Sequence, residues 1–222
     1  MIPVLNLKDG DDVEDCKALV SYLSTIGFVY LKNHGIAEDK IQACRTEAKT
    51  FFARDEDYKR SFYSELTDKY VGYKPHESER LNQDRKEFDM REAILFDAID
   101  VASNEWPSDS FKDATTPLMK ELGALAARLL VMIGVGMELK NPKIFAEAHT
   151  AFDETNSQDV AAFSAFRINQ YPAIEEGQLK GDQVLCGEHA DFGTITLLIQ
   201  DHVPGLEVNF CRKISSGKAF MD

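Results

Sequence analysis

The sequence predicts an α+β protein in which a layer of helices packs on a β-sandwich or barrel. Apolar residues recur at helical spacing up to about residue 137, and after Ala162 they give way to short β-prone runs punctuated by Pro and Gly. The hydrophobic content, 44% of 222 residues, is enough for a core and argues against wholesale disorder. That length suits one ordinary domain, or one domain with a small helical appendage.

Each element follows from its local pattern. Residues 2–7 form a short strand candidate. Residues 11–26 form a helix, because Val13, Cys16, Leu19, Val20 and Leu23 fall on one face and Gly27 follows as a stop. Residues 28–31, aromatic and β-branched, predict a strand, and Asn33-His34-Gly35 predicts a turn. A second helix covers 38–53 and buries Ile41, Cys44, Ala48, Phe51 and Phe52. The segment 55–91 is polar, of mixed charge, and reads as a solvated loop from which Gly72-Tyr73 stands out. Leu118, Leu122, Leu125, Leu129 and Ile133 define a long amphipathic helix, with Pro117 in its first turn and Asn141-Pro142 closing it. Residues 166–171, 183–186, 194–200 and 206–208 are the short strands. No internal repeat or low-complexity segment is visible.

Charge narrows the partners. A formal net charge of -13 repels phosphate backbones and anionic lipid, which argues against nucleic acid and membrane as partners. An anionic substrate would then need a local basic pocket. The N-terminus shows no secretory signal, and the longest apolar run, 129–137, is too short to span a bilayer. Cys16, Cys44, Cys186 and Cys211 form no C-x-x-C pair, so reduced thiols and a cytoplasmic location are the expectation. Cys16 and Cys44 sit on apolar helical faces and read as small buried hydrophobes.

The strongest chemical signal is His189-Ala190-Asp191. Side chains two apart on a strand share a face, so one imidazole and one carboxylate lie side by side. These are two members of a 2-His-1-carboxylate facial triad, the set that holds Fe(II) and leaves positions open for substrate and O₂. The tripeptide alone is common. Its setting, from Gly187 through Gly193-Thr194-Ile195-Thr196-Leu197-Leu198-Ile199-Gln200-Asp201 to Val203-Pro204-Gly205-Leu206-Glu207-Val208, is far more specific.

That stretch closely resembles the H-T-D-x-G-x-x-T-L-L-x-Q-D-x-V-x-G-L-Q-V pattern of the isopenicillin N synthase-like family of Fe(II)/2-oxoglutarate-dependent dioxygenases. Ala190 and Glu207 depart from it at positions that are not ligands. Other landmarks follow in family order: Ile2-Pro3-Val4, Gly27-Phe28 with Asn33-His34-Gly35-Ile36, Phe51-Phe52, Val71-Gly72-Tyr73, Asn104-Glu105-Trp106-Pro107, and Arg167-Ile168-Asn169-Gln170-Tyr171-Pro172. The resemblance runs from residue 2 to about 208. It implies a double-stranded β-helix, or jelly roll, with a helical N-terminal layer. The implied division is 1–105 for the N-terminal helical and strand region, 106–160 for the long scaffold helix and loop, and 161–222 for a partial β-helix core.

The resemblance makes His189 and Asp191 the first two Fe(II) ligands. It makes Asn169 and Tyr171 the N-x-Y pair, whose Tyr hydroxyl contacts the 2-oxoglutarate carboxylate. Arg167 either lines the substrate side or makes a structural ion pair. Glu188 points away from His189, His34 belongs to a turn, and neither reads as a ligand. The family's distal His and R-x-S motif have no counterpart here, since Arg212 is followed by Lys213-Ile214 and His202 lies in a connection. His76 and His149 lie in the helical half. The chain is therefore expected to stop partway through its β-helix. The implied activity is O₂-dependent hydroxylation or desaturation of a small organic substrate, with 2-oxoglutarate as cosubstrate. The alternative is a catalytically inactive form that acts as a binding or regulatory protein.

Overall fold

The computed structural model describes residues 1–7, 12–63, 71–149, 164–175, 177–191 and 193–209. The predicted helix start at residue 11, the boundary at Ala162, and Cys211 and Arg212 lie outside them.

The chain opens with β1 (Val4–Asn6), α1 (Val13–Thr25) and β2 (Tyr30–Lys32), and β1 pairs with β2 in parallel. Asp12 caps α1 by accepting from the Asp15 amide at 2.8 Å. Gly27 ends it with φ 79°, a conformation that favours glycine, and its amide reaches back to the Tyr22 carbonyl. The predicted strand at 28–31 begins later, at Tyr30, because the turn out of α1 uses the first two residues. Helix α2 (Glu38–Phe52) buries the five residues that periodicity assigned to its inner face.

The segment 55–91 is more structured than its polarity suggested. Asp55 caps a short α3 (Glu56–Arg60), and β3 (Gly72–Lys74) follows. The next strand, β4 (Glu92–Asp97), is absent from the sequence reading, yet it is the centre of the main sheet. It pairs antiparallel with β3 on one side and with β5 (Ala165–Gln170) on the other, the latter over six residue pairs. Every residue from Glu92 to Phe96 is buried. A strand covered on both faces shows no alternation, so nothing in its pattern separates it from a helix fragment.

Pro117 lies inside α4 (Asp109–Gly136), not in its first turn. The helix starts two turns earlier because Ser108 caps it, accepting from the Phe111 amide at 3.1 Å, and because Phe111 is 1% exposed. The cap contributes about 1 kcal/mol and the buried ring about 1.5–3 kcal/mol, enough to offset the roughly 3 kcal/mol cost of an interior proline. The helix ends at Gly136. Glu138 at φ 55° and a Leu139 amide bonded to the Gly134 carbonyl close it, upstream of the predicted stop at Asn141-Pro142. A short α5 (Ile144–Ala148) follows.

The register sorts the main sheet into two faces. Tyr73 lies opposite Ile94, Ile94 opposite Ile168, and Phe96 opposite Phe166. These side chains meet Phe51, Phe52, Phe111 and Met119 of the helices in one core, where Trp106 stacks on Phe96 at 4.3 Å. A second core joins Leu5, Leu7, Cys16 and Leu19 to Leu125, Leu129 and Met132 of α4. Arg167 and Asn169 alternate to the opposite face of the sheet.

The strands predicted at 183–186, 194–200 and 206–208 do not form as such. A strand exists only through its ladder, and among the described residues none of these segments has a ladder partner. They are held in other ways. Met90 donates to the Val184 carbonyl at 2.8 Å, Arg45 donates to the Gln200 carbonyl at 2.8 Å, and Ile195 and Leu197 rest on the second core. The described structure is thus α+β, with one two-stranded and one three-stranded sheet. No described helix is long and apolar enough to cross a membrane.

Candidate metal centre

The H-x-D pair is held in one geometry by its own backbone. His189 Nδ1 lies 2.8 Å from the Gly187 carbonyl. A carbonyl only accepts, so Nδ1 carries the proton, and whenever the ring is neutral Nε2 presents a lone pair. That nitrogen lies 3.3 Å from Asp191 Oδ1. Two ligand atoms at neighbouring corners of an octahedron, each about 2.1 Å from a first-row metal, are about 3 Å apart. The pair therefore fits two adjacent positions of a divalent metal. Among the described residues no group of three His, Cys, Asp or Glu side chains completes such a set.

Glycine at 187 is required by contact. A Cβ there would lie 2.9 Å from the Asn82 nitrogen and 3.1 Å from Asp89 Oδ1. The Gly187 amide donates to Asp89 Oδ1 at 3.0 Å, so the segment carrying the pair is fastened to the loop that precedes β4.

The other predicted residues gather beside the sheet. Arg167 donates through both terminal nitrogens to Glu79, at 3.1 Å to Oε1 and more closely to Oε2, and its Nε donates to Asn169 Oδ1 at 2.7 Å. Arg167 thus makes the ion pair that was one of its two expected roles. Tyr171, whose ring is partly exposed, turns its hydroxyl to Arg91 and Cys186. Burial pushes this hydroxyl up, and Cys186 adds to the effect while Arg91 opposes it. Arg91 is 6% exposed and reaches Cys186 Sγ at 3.5 Å and Glu79 Oε2 at 3.4 Å. Burial alone would raise the Glu79 carboxyl, but Arg167 and Arg91 hold it below the ordinary range.

The remaining histidines stand apart from the pair. His34 Nδ1 accepts from the Ile36 amide in its turn, at 3.2 Å. His76 lies 3.6 Å from the buried Glu92 on the helical face of the sheet. His149 bridges the Phe145 carbonyl and the Thr194 hydroxyl, and His202 is exposed. Glu188 turns outward to the Asn209 amide at 2.7 Å. Sequence reasoning missed Glu79, Asp89 and Arg91, all within the stretch read as a solvated loop. The one signal for Asp89 and Arg91 was position, just before the apolar run Ala93-Ile94-Leu95-Phe96, and Glu79 had none.

The family profile described as non-haem dioxygenase in morphine synthesis N-terminal matches residues 2–109. Feruloyl CoA ortho-hydroxylase 2 of Arabidopsis thaliana is 26% identical over 222 residues, covering 98% of this chain and 55% of its own length. The chain is thus similar in sequence to the Fe(II)/2-oxoglutarate oxygenases. Another relative of this family, the 2-oxoglutarate-Fe(II) type oxidoreductase ppzD of Metarhizium rileyi, is 26% identical over 87% of this chain and 56% of its own. A full-length Neurospora crassa protein, solved in complex with alpha-KG and thymine, shares the fold with a TM-score of 0.69. It is 22% identical and covers 86% of this chain and 62% of that one. The chain spans a little over half the length of the two curated relatives.

Proposed function

We propose that the whole protein is a non-haem Fe(II)- and 2-oxoglutarate-dependent oxidoreductase that hydroxylates or desaturates a small organic molecule. The observation that carries this is the His189–Asp191 pair, with one imidazole lone pair and one carboxylate oxygen converging at 3.3 Å. Relatives named as 2-oxoglutarate-Fe(II) enzymes, and the Neurospora crassa protein solved with alpha-KG and thymine, support the same reading. When bound, Fe(II) with 2-oxoglutarate and O₂ supplies the oxidation of a substrate C–H bond.

In this reading His189 and Asp191 hold the metal. Asn169, on the face of β5 turned away from the helices, and Tyr171, just past the end of that strand, bind the cosubstrate. The buried Arg91 keeps the Tyr171 hydroxyl oriented, and Arg167 lines the substrate side while Glu79 fixes its guanidinium. The three-stranded sheet is the near wall of a double-stranded β-helix whose core begins at about residue 161, and the helical layer closes that wall against water.

The test is anaerobic titration of the chain with Fe(II), then with 2-oxoglutarate, watching the visible metal-to-ligand band. Saturable iron binding that disappears in His189→Ala and Asp191→Ala is expected. Equal binding by both variants would overturn the assignment. The second reading is a chain that binds iron without turnover and serves as a binding or regulatory protein. Succinate formation from 2-oxoglutarate separates the two readings.

A further inference from the structure

We infer that Asp89 is the positioning residue of the metal pair, acting through Gly187 on the tautomer and direction of His189. The inference rests on the proposed role of His189 as a ligand. Asp89 is 1% exposed. Its Oδ1 accepts from the Gly187 amide at 3.0 Å and its Oδ2 from the Leu81 amide at 3.3 Å, and Arg91 lies 3.9 Å away. Its own backbone is pinned as well. The Asp89 amide donates to the Glu79 carbonyl at 2.9 Å, and its carbonyl accepts from Glu77 at 3.3 Å. The carboxylate is thus a fixed post, with both oxygens committed and its charge faced by a guanidinium.

What it fixes is the peptide that sets His189. Gly187 offers its amide to Asp89 and its carbonyl to His189 Nδ1, so one residue ties the buried acid to the ring. A rotated Gly187 would lose the acceptor that keeps the proton on Nδ1, and Nε2 would no longer present a lone pair beside Asp191. Residues that orient a metal-bound imidazole sit one contact behind it, and their loss lowers metal affinity about 10–100-fold. Here the orienting group on the ring is a carbonyl, and the acid stands one step further back. Glycine is needed at 187 because the Asn82 backbone nitrogen would lie 2.9 Å from a Cβ there, with Asp89 Oδ1 next at 3.1 Å.

The experiment uses the 222-residue chain labelled with ¹⁵N-histidine, at a pH where the ring is neutral, together with a Co(II) titration. In the wild type the ring nitrogens of His189 should report one tautomer, protonated at Nδ1. Asp89→Ala should give a tautomer mixture and weaken Co(II) about 10–100-fold. Asp89→Asn, which keeps an acceptor for Gly187, should recover most of both. If Asp89→Ala does not fold, Gly187→Ala separates the same two groups with the carboxylate intact and should produce the same mixture. A single unchanged tautomer in whichever of these two variants folds overturns the positioning role. No Co(II) binding by the wild type, with the tautomer still dependent on Asp89, would sink the iron-site reading and leave the positioning role standing.

Discussion

Glu92 lies at the start of β4 with its carboxylate buried, and two donors hold it there. Lys59 Nζ lies 2.6 Å from Oε2, and the Tyr73 hydroxyl donates to the same oxygen at 2.5 Å. Removing one partner strands the other, so Lys59→Met should cost about 3–5 kcal/mol, read as a shift in the urea midpoint. Replacing Lys59 and Glu92 together with apolar residues should cost much less. Tyr73 adds a pH dependence. Burial first, then Glu92, raises its hydroxyl well above the ordinary value of 10. A phenol harder to ionise when folded contributes stability that is complete below pH 10 and declines as the pH rises above it. The denaturation midpoint should therefore fall in alkali, and less steeply in Tyr73→Phe. At this scale the sequence was legible where two residues share a short motif, since His189 and Asp191 do lie side by side, at 3.3 Å. Asp89, Arg91 and Glu79 were not, because a buried charge and a solvated one look alike until their distant partners in the chain are known.

Among the elements, α1 and α4 meet closely at Gly136. A Cβ there would lie 2.2 Å from the Cys16 carbonyl oxygen and 2.8 Å from Val20 Cγ2. Alanine ordinarily gains about 1 kcal/mol over glycine inside a helix, while overpacking against backbone costs about 1–3 kcal/mol or more. Gly136→Ala should therefore lower the melting temperature by several degrees, and a differential scanning calorimetry trace would show it. Helices α1 and α2 were readable because one face is buried and the other wet. Strand β4 was not, since neither face is wet. The extra turns of α4 were missed because Pro117 looks like a beginning, whereas Ser108 and Phe111 place the beginning earlier. The late strands were expected from composition, but a ladder needs a partner as well as a β-prone sequence.

Across the whole molecule, apolar surface is left open beside that unpaired segment. Leu198, Val203 and Leu206 are each about half exposed or more, and β5 has a hydrogen-bonded neighbour on one side only among the described residues. Unpaired edges and apolar patches promote association even on a strongly acidic surface. Light scattering of the 222-residue chain should show association that rises with concentration and with salt, which screens the acidic repulsion. Leu198→Lys with Val203→Lys should reduce it. An unchanged signal in the double variant would place the sticky surface elsewhere.

The bond from Gly187 to Asp89 spans 98 residues of chain. Between its ends lie β4, the whole of α4 and β5, so the loop it closes takes in the centre and one edge of the main sheet and the longest helix. Contacts of such separation form late, after local helices and neighbouring strands have gathered. The ring of His189 is therefore aimed at the end of folding rather than at its start. On the proposed role of His189 and Asp191, metal capture would then follow the closing of the sheet and helices.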